Sequence, residues 1–164
     1  MQVYLAGPLG FSEAGRAFHE AEVLGRLRAL GHEPVDPWTL TDQSRIKAVA
    51  KLPYGVERRE AWRKLNLEIA GNNCAAIDGC DAVFAVLDGV DVDSGTAAEI
   101  GYAFAKGKPI LGYRGDFRLS SDNEGAMVNV QVEYFIRKSG GDIITHVDEL
   151  GPALEKLNGI ATSL

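Results

Sequence analysis

The sequence is poor in cysteine, in basic residues and in long apolar runs, and each shortage argues against a class of protein. Its two cysteines, Cys74 and Cys80, fit neither a CxxC redox pair nor a zinc ribbon, so we expect two buried thiols in a reducing cytosol. The 17 Lys and Arg residues against 23 Asp and Glu residues give a formal net charge of -6. Such an acidic chain argues against a nucleic-acid partner, because a phosphate backbone requires a basic surface. No apolar run approaches the roughly 18 residues of a membrane span, and the first residues lack a secretory signal, so we expect a cytoplasmic protein without a membrane partner.

Motifs for metals and nucleotide cofactors are also missing. The three histidines, His19, His32 and His146, show no helical ligand spacing, which argues against a metal centre. No GxGxxG follows the first apolar run, and no GxxxxGK[ST] or GxSxG occurs in the chain. We therefore expect chemistry that needs neither a metal nor a cofactor.

Short apolar runs alternate with helical patterns, without an internal repeat or a Gly/Ser linker. This alternation predicts one domain over residues 1–164, with an α/β doubly wound, five-stranded parallel sheet and helices on both faces. The expected strands are 3–6, 33–36, 81–87, 109–113 and 143–145, and the expected helices are 12–30, 57–77, 96–106, 126–138 and one from 148. Ligands of such sheets bind beyond the carboxyl ends of the strands, which directs attention to the loops after Ala6, Leu87 and Tyr113.

The segment 37–55 is the hardest to interpret. It contains Pro37, Pro53 and Gly55 among several charged residues, and it follows the expected second strand. Both a functional lid and a solvated surface loop fit this composition. Trp38 and Tyr54 within it could stack on a base or simply pack.

The most informative segment follows the third expected strand, where Asp88, Asp91, Asp93 and Glu99 lie close together. Asp93 precedes the next helix and Glu99 is expected on its first turn. A structural interpretation makes Thr96 and Glu99 a capping box. A functional interpretation uses helix amides and dipole to keep Glu99 ionised, as a nucleophile at an anomeric carbon must be. The aspartates lack the EF-hand pattern, and loop solvation accounts for most of them.

The residues resemble a known family. Tyr4-Leu5-Ala6-Gly7-Pro8, the block from Asp93 to Ala103, and Ser139-Gly140-Gly141 are similar to segments of nucleoside 2-deoxyribosyltransferases, in the same order along nearly the whole chain. The resemblance implies a flavodoxin-like fold and transfer of a 2-deoxyribosyl group between nucleobases through a covalent glycosyl-enzyme ester, with retention of configuration. It implies deoxynucleosides and free nucleobases as partners, and a role in nucleotide salvage.

By position, Glu99 matches the family's nucleophile and Tyr4 the tyrosine that orients it. Asp93 matches an aspartate that contacts the nucleoside and assists proton transfer to the base. Asn129 matches an asparagine supplied across a subunit boundary, which implies a homo-oligomer with shared active sites. Asn73 stands where many members carry an Asp that contacts the nucleobase, and an amide cannot act as an acid.

Two glycines complete the candidate site. Gly7 directly follows the first strand, and Gly95 is one of the small residues that leave room for a sugar ring against the backbone. We therefore expect both glycines to lie against the substrate.

Two alternatives stay open. A hydrolase of nucleosides or nucleoside 5′-monophosphates would use the same Glu99, because a fold does not fix a reaction. Ser12, Ser94, Arg16 or Arg114 could then hold the phosphate. A non-catalytic nucleotide-binding module would bind its ligand without forming a product.

Overall fold

The computed structural model describes the backbone of residues 1–161 and the side chains of residues 1–159. Its centre is a five-stranded, all-parallel sheet in the order β2-β1-β3-β4-β5. The strands are β1 Gln2–Ala6, β2 Glu33–Val35, β3 Ala82–Val86, β4 Ile110–Tyr113 and β5 Ile143–Ile144. This flavodoxin-like order confirms the predicted fold class. The strand order changes direction between β1 and β3, which opens a crevice beyond their carboxyl ends.

Seven α-helices lie within the described residues. They are α1 Glu13–Phe18, α2 Gly25–Ala29, α3 Gln43–Lys51, α4 Val56–Gly79, α5 Ser94–Ala105, α6 Val130–Lys138 and α7 Leu150–Ala161. The π-helical segment His19–Leu24 joins α1 to α2, so this helical stretch runs from the Ser12 cap to Leu30 as expected. Gly31 ends it with a φ of 77°, a conformation that favours glycine.

Helices cover both faces of the sheet, as predicted. Successive residues of β3 face opposite sides, so Val83 joins one apolar core and Phe84 joins the other. The first core packs against α4, α5 and α6 through Ile77, Ile100 and Ile136. The second core packs against helices that include α2 and α7. The central strand is buried along its whole length, which explains its unbroken apolar sequence.

Three expectations need correction. Segment 37–55 is not a simple loop, because it forms a 3-10 turn at Pro37–Thr39 and the helix α3. The helix expected from residue 126 begins at Val130, because Asn129 caps it. Cys80 is buried but Cys74 is exposed on α4. No helix in the described part of the chain is long and apolar enough to cross a membrane.

Candidate active site

Asp93 begins the helix that carries Glu99. Its Oδ2 accepts hydrogen bonds from the backbone N–H of Thr96 at 3.0 Å and from the Thr96 hydroxyl at 3.2 Å. The predicted capping box of Thr96 and Glu99 is therefore wrong, because Asp93 is the N-cap and Thr96 lies inside α5. Glu99 lies in the second turn, not the first, so its carboxylate does not reach the free amides of the helix end.

Two side chains from distant parts of the chain hold the Glu99 carboxylate. The Tyr4 hydroxyl, from β1, donates to Glu99 Oε1 at 2.8 Å, and Asn73 Nδ2, from α4, donates to the same oxygen at 3.2 Å. Within residues 1–159, no group donates a hydrogen bond to Oε2. One oxygen is thus anchored, and the other keeps its lone pairs available for a ligand.

The electrostatics of Glu99 are set by burial and by these two donors. Burial raises its pKa, the hydrogen bonds from Tyr4 and Asn73 lower it, and the negative charge of Asp93 raises it, leaving the pKa above its ordinary value. The expectation that helix amides keep Glu99 ionised is therefore wrong. Burial, and then the neighbouring Glu99 carboxylate, raise the pKa of Tyr4 far above its usual range, so the phenol remains a proton donor.

Glu99 opens into a cavity of about 300 Å³ at the carboxyl ends of β1 and β3. This volume lies at the lower end of the range for small-molecule sites, about 300–1,000 Å³. The cavity is lined by Gly7, Phe11, Pro37, Trp38, Ile69, Asn73, Asp93, Gly95, Thr96 and Glu99. Five of the seven residues predicted for the site are among them, and Tyr4 reaches the site through its hydrogen bond to Glu99.

An aromatic wall closes one side of this cavity. The rings of Phe11 and Trp38 meet edge to face, with centroids 4.8 Å apart at an interplanar angle of 88°. Asp36 Oδ1 accepts from the Trp38 backbone N–H at 3.1 Å and fixes the turn that presents the indole. A Cβ added at Gly10 would lie 2.1 Å from the indole ring, so only glycine fits there.

Sequence reasoning named Trp38 but missed Phe11. Phe11 is 72% exposed and follows the Gly7-Pro8 break at the end of β1. An aromatic residue in an exposed loop beyond a central strand was the signal that could have identified it.

Asn129 lies outside this cavity. Its Oδ1 caps α6 by accepting from the backbone N–H groups of Gln131 and Val132 at 3.0 and 3.4 Å, and its Nδ2 approaches Asp122. Both polar atoms of the Asn129 side chain therefore have hydrogen-bond partners within its own chain.

Three of the four candidate phosphate ligands are also engaged elsewhere. Arg114 is 3% exposed and donates to the backbone carbonyls of Leu87, Gly89 and Arg118, so it clamps the loop after β3. Arg16 donates to the Gly10 carbonyl, and the Ser12 hydroxyl caps α1.

The structure is a flavodoxin-like α/β protein with a half-anchored carboxylate in a small crevice at the switch point of its sheet, which is where proteins of this fold class bind small molecules. The sequence profile of the family Nucleoside 2-deoxyribosyltransferase matches residues 3–131. The chain belongs to this family.

Individual proteins are also similar to this chain. An uncharacterized protein of Schizosaccharomyces pombe is 29% identical over 53% of this chain, and the match spans only 60% of that relative's length. The structure of a 2-desoxiribosyltransferase from Leishmania mexicana has a TM-score of 0.63, with 23% identity over 99% of both chains. The Clostridium botulinum CMP N-glycosidase BcmB has a TM-score of 0.52 with 20% identity, over 94% of this chain and 98% of that chain. At these identities the two solved structures support the fold alone.

Proposed function

We propose that this protein transfers a 2-deoxyribosyl group between nucleobases, with Glu99 as the nucleophile. The observation that carries the proposal is the asymmetry of the Glu99 carboxylate, which is held at Oε1 by Tyr4 and Asn73 and is free at Oε2. A carboxylate anchored in this way keeps a fixed direction of attack, and fixed geometry lowers the barrier to displacement. Membership of the deoxyribosyltransferase family supports the same chemistry.

The proposed reaction has two displacement steps. Glu99 Oε2 forms a bond to C1′ of the deoxynucleoside while the C1′–N bond breaks and its electron pair leaves with the base, which gains a proton. Asp93, at the cavity wall, is the proposed proton carrier. A nitrogen of the second base then attacks C1′ and passes its proton to Asp93, while the C1′–Oε2 bond breaks and its electron pair returns to Glu99. The two inversions give overall retention.

The cavity wall favours a neutral nucleoside over a 5′-monophosphate. Asp93 and Glu99 both line it, and no Lys or Arg among the described residues does so. Carboxylates without a nearby cation repel a phosphate group. Arg16 and Arg114 donate to backbone carbonyls instead. We therefore favour transfer from deoxynucleosides over hydrolysis of nucleotides.

The aromatic wall of Phe11 and Trp38 is the proposed contact for the nucleobase, because aromatic faces stack on bases of any sequence. Gly7 and Gly95 line the same cavity, and because they have no side chains they leave space for a sugar ring. Asn129 does not line this cavity, and we propose that it acts on the site of a second copy of the chain.

The test is base exchange. Deoxyinosine incubated with adenine should yield deoxyadenosine and hypoxanthine at equal rates, and Glu99→Ala should abolish both products while keeping the fold. Release of free deoxyribose at a rate independent of adenine would instead show a hydrolase. Ligand binding with no product at all would contradict an enzymatic function.

A further inference from the structure

Only one of the two polar atoms of the Asn73 side chain has a hydrogen-bond partner in the described part of the chain. Its Nδ2 donates to Glu99 Oε1 at 3.2 Å. Its Oδ1 is buried and has no hydrogen-bond partner in the described part of the chain. A buried carbonyl without a donor destabilises a fold, and most buried polar atoms in proteins avoid this state. The unsatisfied oxygen therefore needs an explanation.

The orientation of this amide follows from Glu99. If the amide were turned over, its oxygen would face the Glu99 carboxylate, and two acceptors would repel each other. The donor is thus directed at Glu99 while the carbonyl of Asn73 stays unpaired. A residue selected for stability alone would not need this arrangement, since an apolar side chain of the same size would avoid it.

The adjacent Asn72 provides the contrast. Its Nδ2 donates to the Thr41 hydroxyl at 3.1 Å, which links α4 to the segment before α3. Asn72 makes no hydrogen bond to Glu99. The two neighbouring asparagines have the same chemistry and face different partners, so Asn72 is a matched control for Asn73.

We infer that Asn73 is a positioning residue that keeps the Glu99 carboxylate ionised and turned so that Oε2 faces the cavity. The polar and charged groups facing Glu99 are the Tyr4 hydroxyl from β1, Asn73 from α4 and the Asp93 carboxylate at the start of α5. The thiols of Cys74 and Cys80 lie near Tyr4. Tyr4 and Asn73 are the donors in this set, and they offset burial and the like charge of Asp93.

Two substitutions separate the donor from the acceptor of this amide. Asn73→Leu keeps the size of the side chain and removes both the donor and the unpaired carbonyl. Asn73→Asp keeps an acceptor and adds a carboxylate where the donor was. Loss of the donor should raise the pKa of Glu99 in both variants, and the added charge should raise it further in Asn73→Asp.

The experiment is a carbon-13 NMR titration of the Glu99 carboxyl in the full chain, assigned by its absence in Glu99→Gln. We expect the midpoint to rise by about one to two pH units in Asn73→Leu, which corresponds to the loss of one charge-assisted hydrogen bond. The midpoint should rise further in Asn73→Asp and should not move in Asn72→Leu. The acid limb of the pH profile of base exchange should move with it, and Asn73→Leu should melt no lower than wild type.

An unmoved midpoint in Asn73→Leu and Asn73→Asp would overturn the inference, as would a melting temperature that falls in Asn73→Leu with no change in titration. The catalytic part of the inference rests on the proposed function, but the titration does not. If the midpoint moves while wild type exchanges no bases, the positioning role stands and the proposed function fails.

Discussion

Glu99 combines a fixed and a free oxygen on one carboxylate. The fixed oxygen receives hydrogen bonds from Tyr4 and Asn73, which lie 95 and 26 positions away in the chain. Hydrogen bonds to an ionised carboxylate are stronger than those between neutral groups, so these donors both orient Glu99 and favour its charged form. The charge state of Glu99, and with it the reactivity of this site, therefore depends on burial, which favours the neutral carboxyl, and on the two donors, which favour the carboxylate.

Removing the Tyr4 hydroxyl should weaken that balance without breaking the fold. We expect Tyr4→Phe to lower kcat/KM for base exchange by the equivalent of about 1.5–3 kcal/mol, as for a hydrogen bond to a charged group, and to move the acid limb to higher pH. Steady-state kinetics across pH measure both effects. Tyr102→Phe is the control, because Tyr102 donates to the Asp78 carboxylate at an exposed site. Equal kinetics for wild type and Tyr4→Phe would contradict this role.

Burial of Glu99 also links stability to pH. Because burial raises the pKa of Glu99 above its value in the unfolded chain, its contribution to stability is fully present below the unfolded pKa and is lost as pH rises through the folded pKa. Glu99→Gln should therefore melt at a higher temperature than wild type at pH 8, with a difference that shrinks towards pH 4.

Glu133 is a control of opposite sign. Burial raises its pKa, but hydrogen bonds from the Met127 backbone and Arg137 outweigh burial and hold the pKa below its ordinary value. Glu133→Gln should thus destabilise the protein at pH 8. A lower melting temperature for Glu99→Gln than for wild type at pH 8 would show that ionised Glu99 does not destabilise the fold and would contradict this prediction.

The sequence identified individual site residues better than their partners. Tyr4, Asp93 and Glu99 could be found because they lie within segments that resemble those of a known family. The sequence could not show that Tyr4 and Asn73 both donate to Oε1 of Glu99, since this arrangement depends on where α4 packs against β1 and α5. Asn73 lies inside α4, which continues to Gly79.

At the scale of secondary-structure elements, the N-terminus of α5 sets the position of the nucleophile. Asp93 caps this helix, and the helix places Glu99 in its second turn. Asp93 therefore has a structural role whether or not it carries a proton. A substitution must keep the cap in order to test the chemistry.

Asp93→Asn should keep the cap and lose proton transfer, so it should melt near the wild-type temperature and exchange bases more slowly. Asp93→Ala should lose both the activity and about 1 kcal/mol of unfolding free energy, measured by urea denaturation. The matched control is Asp42→Ala, which removes the cap of α3, where Asp42 Oδ1 accepts from the Ser44 backbone at 2.8 Å. Full activity in Asp93→Asn would leave Asp93 with the capping role alone.

Elements with a clear apolar period or a buried run were predictable, and their bounds were within a few residues of the structure. α3 was not, because Pro37, Pro53 and Gly55 surround it and none of its residues is buried. The predicted capping box was wrong because two candidate caps lie close together in the sequence. Asp93 and Thr96 both have good capping chemistry, and their spacing alone does not decide which one begins the helix.

At the scale of the whole molecule, the strand order determines where the cavity lies. Beyond the carboxyl ends of β1 and β3, three crossovers supply Gly7, Trp38, and the pair Asp93 and Glu99. The sequence predicted this crevice from the order of its strands and helices. Asn129, which the resemblance assigns to a site across a subunit boundary, does not line the cavity of its own chain.

The proposed sharing of sites between copies predicts complementation. Glu99→Ala and Asn129→Ala should each lose base exchange, and co-expressing the two variants should restore a measurable fraction of it. A mixed oligomer then contains a site with an intact Glu99 from one subunit and an intact Asn129 from the other. If Asn129 serves its own chain, or only caps α6, the mixture will be as inactive as its parts.

The covalent step is the central claim, and intact-protein mass spectrometry tests it most directly. Wild-type protein mixed with a deoxynucleoside in the absence of an acceptor base should gain the mass of one 2-deoxyribosyl group, and peptide mapping should place that group on Glu99. Adding adenine should remove the adduct and release deoxyadenosine. An unmodified Glu99 under conditions in which bases are exchanged would contradict the account.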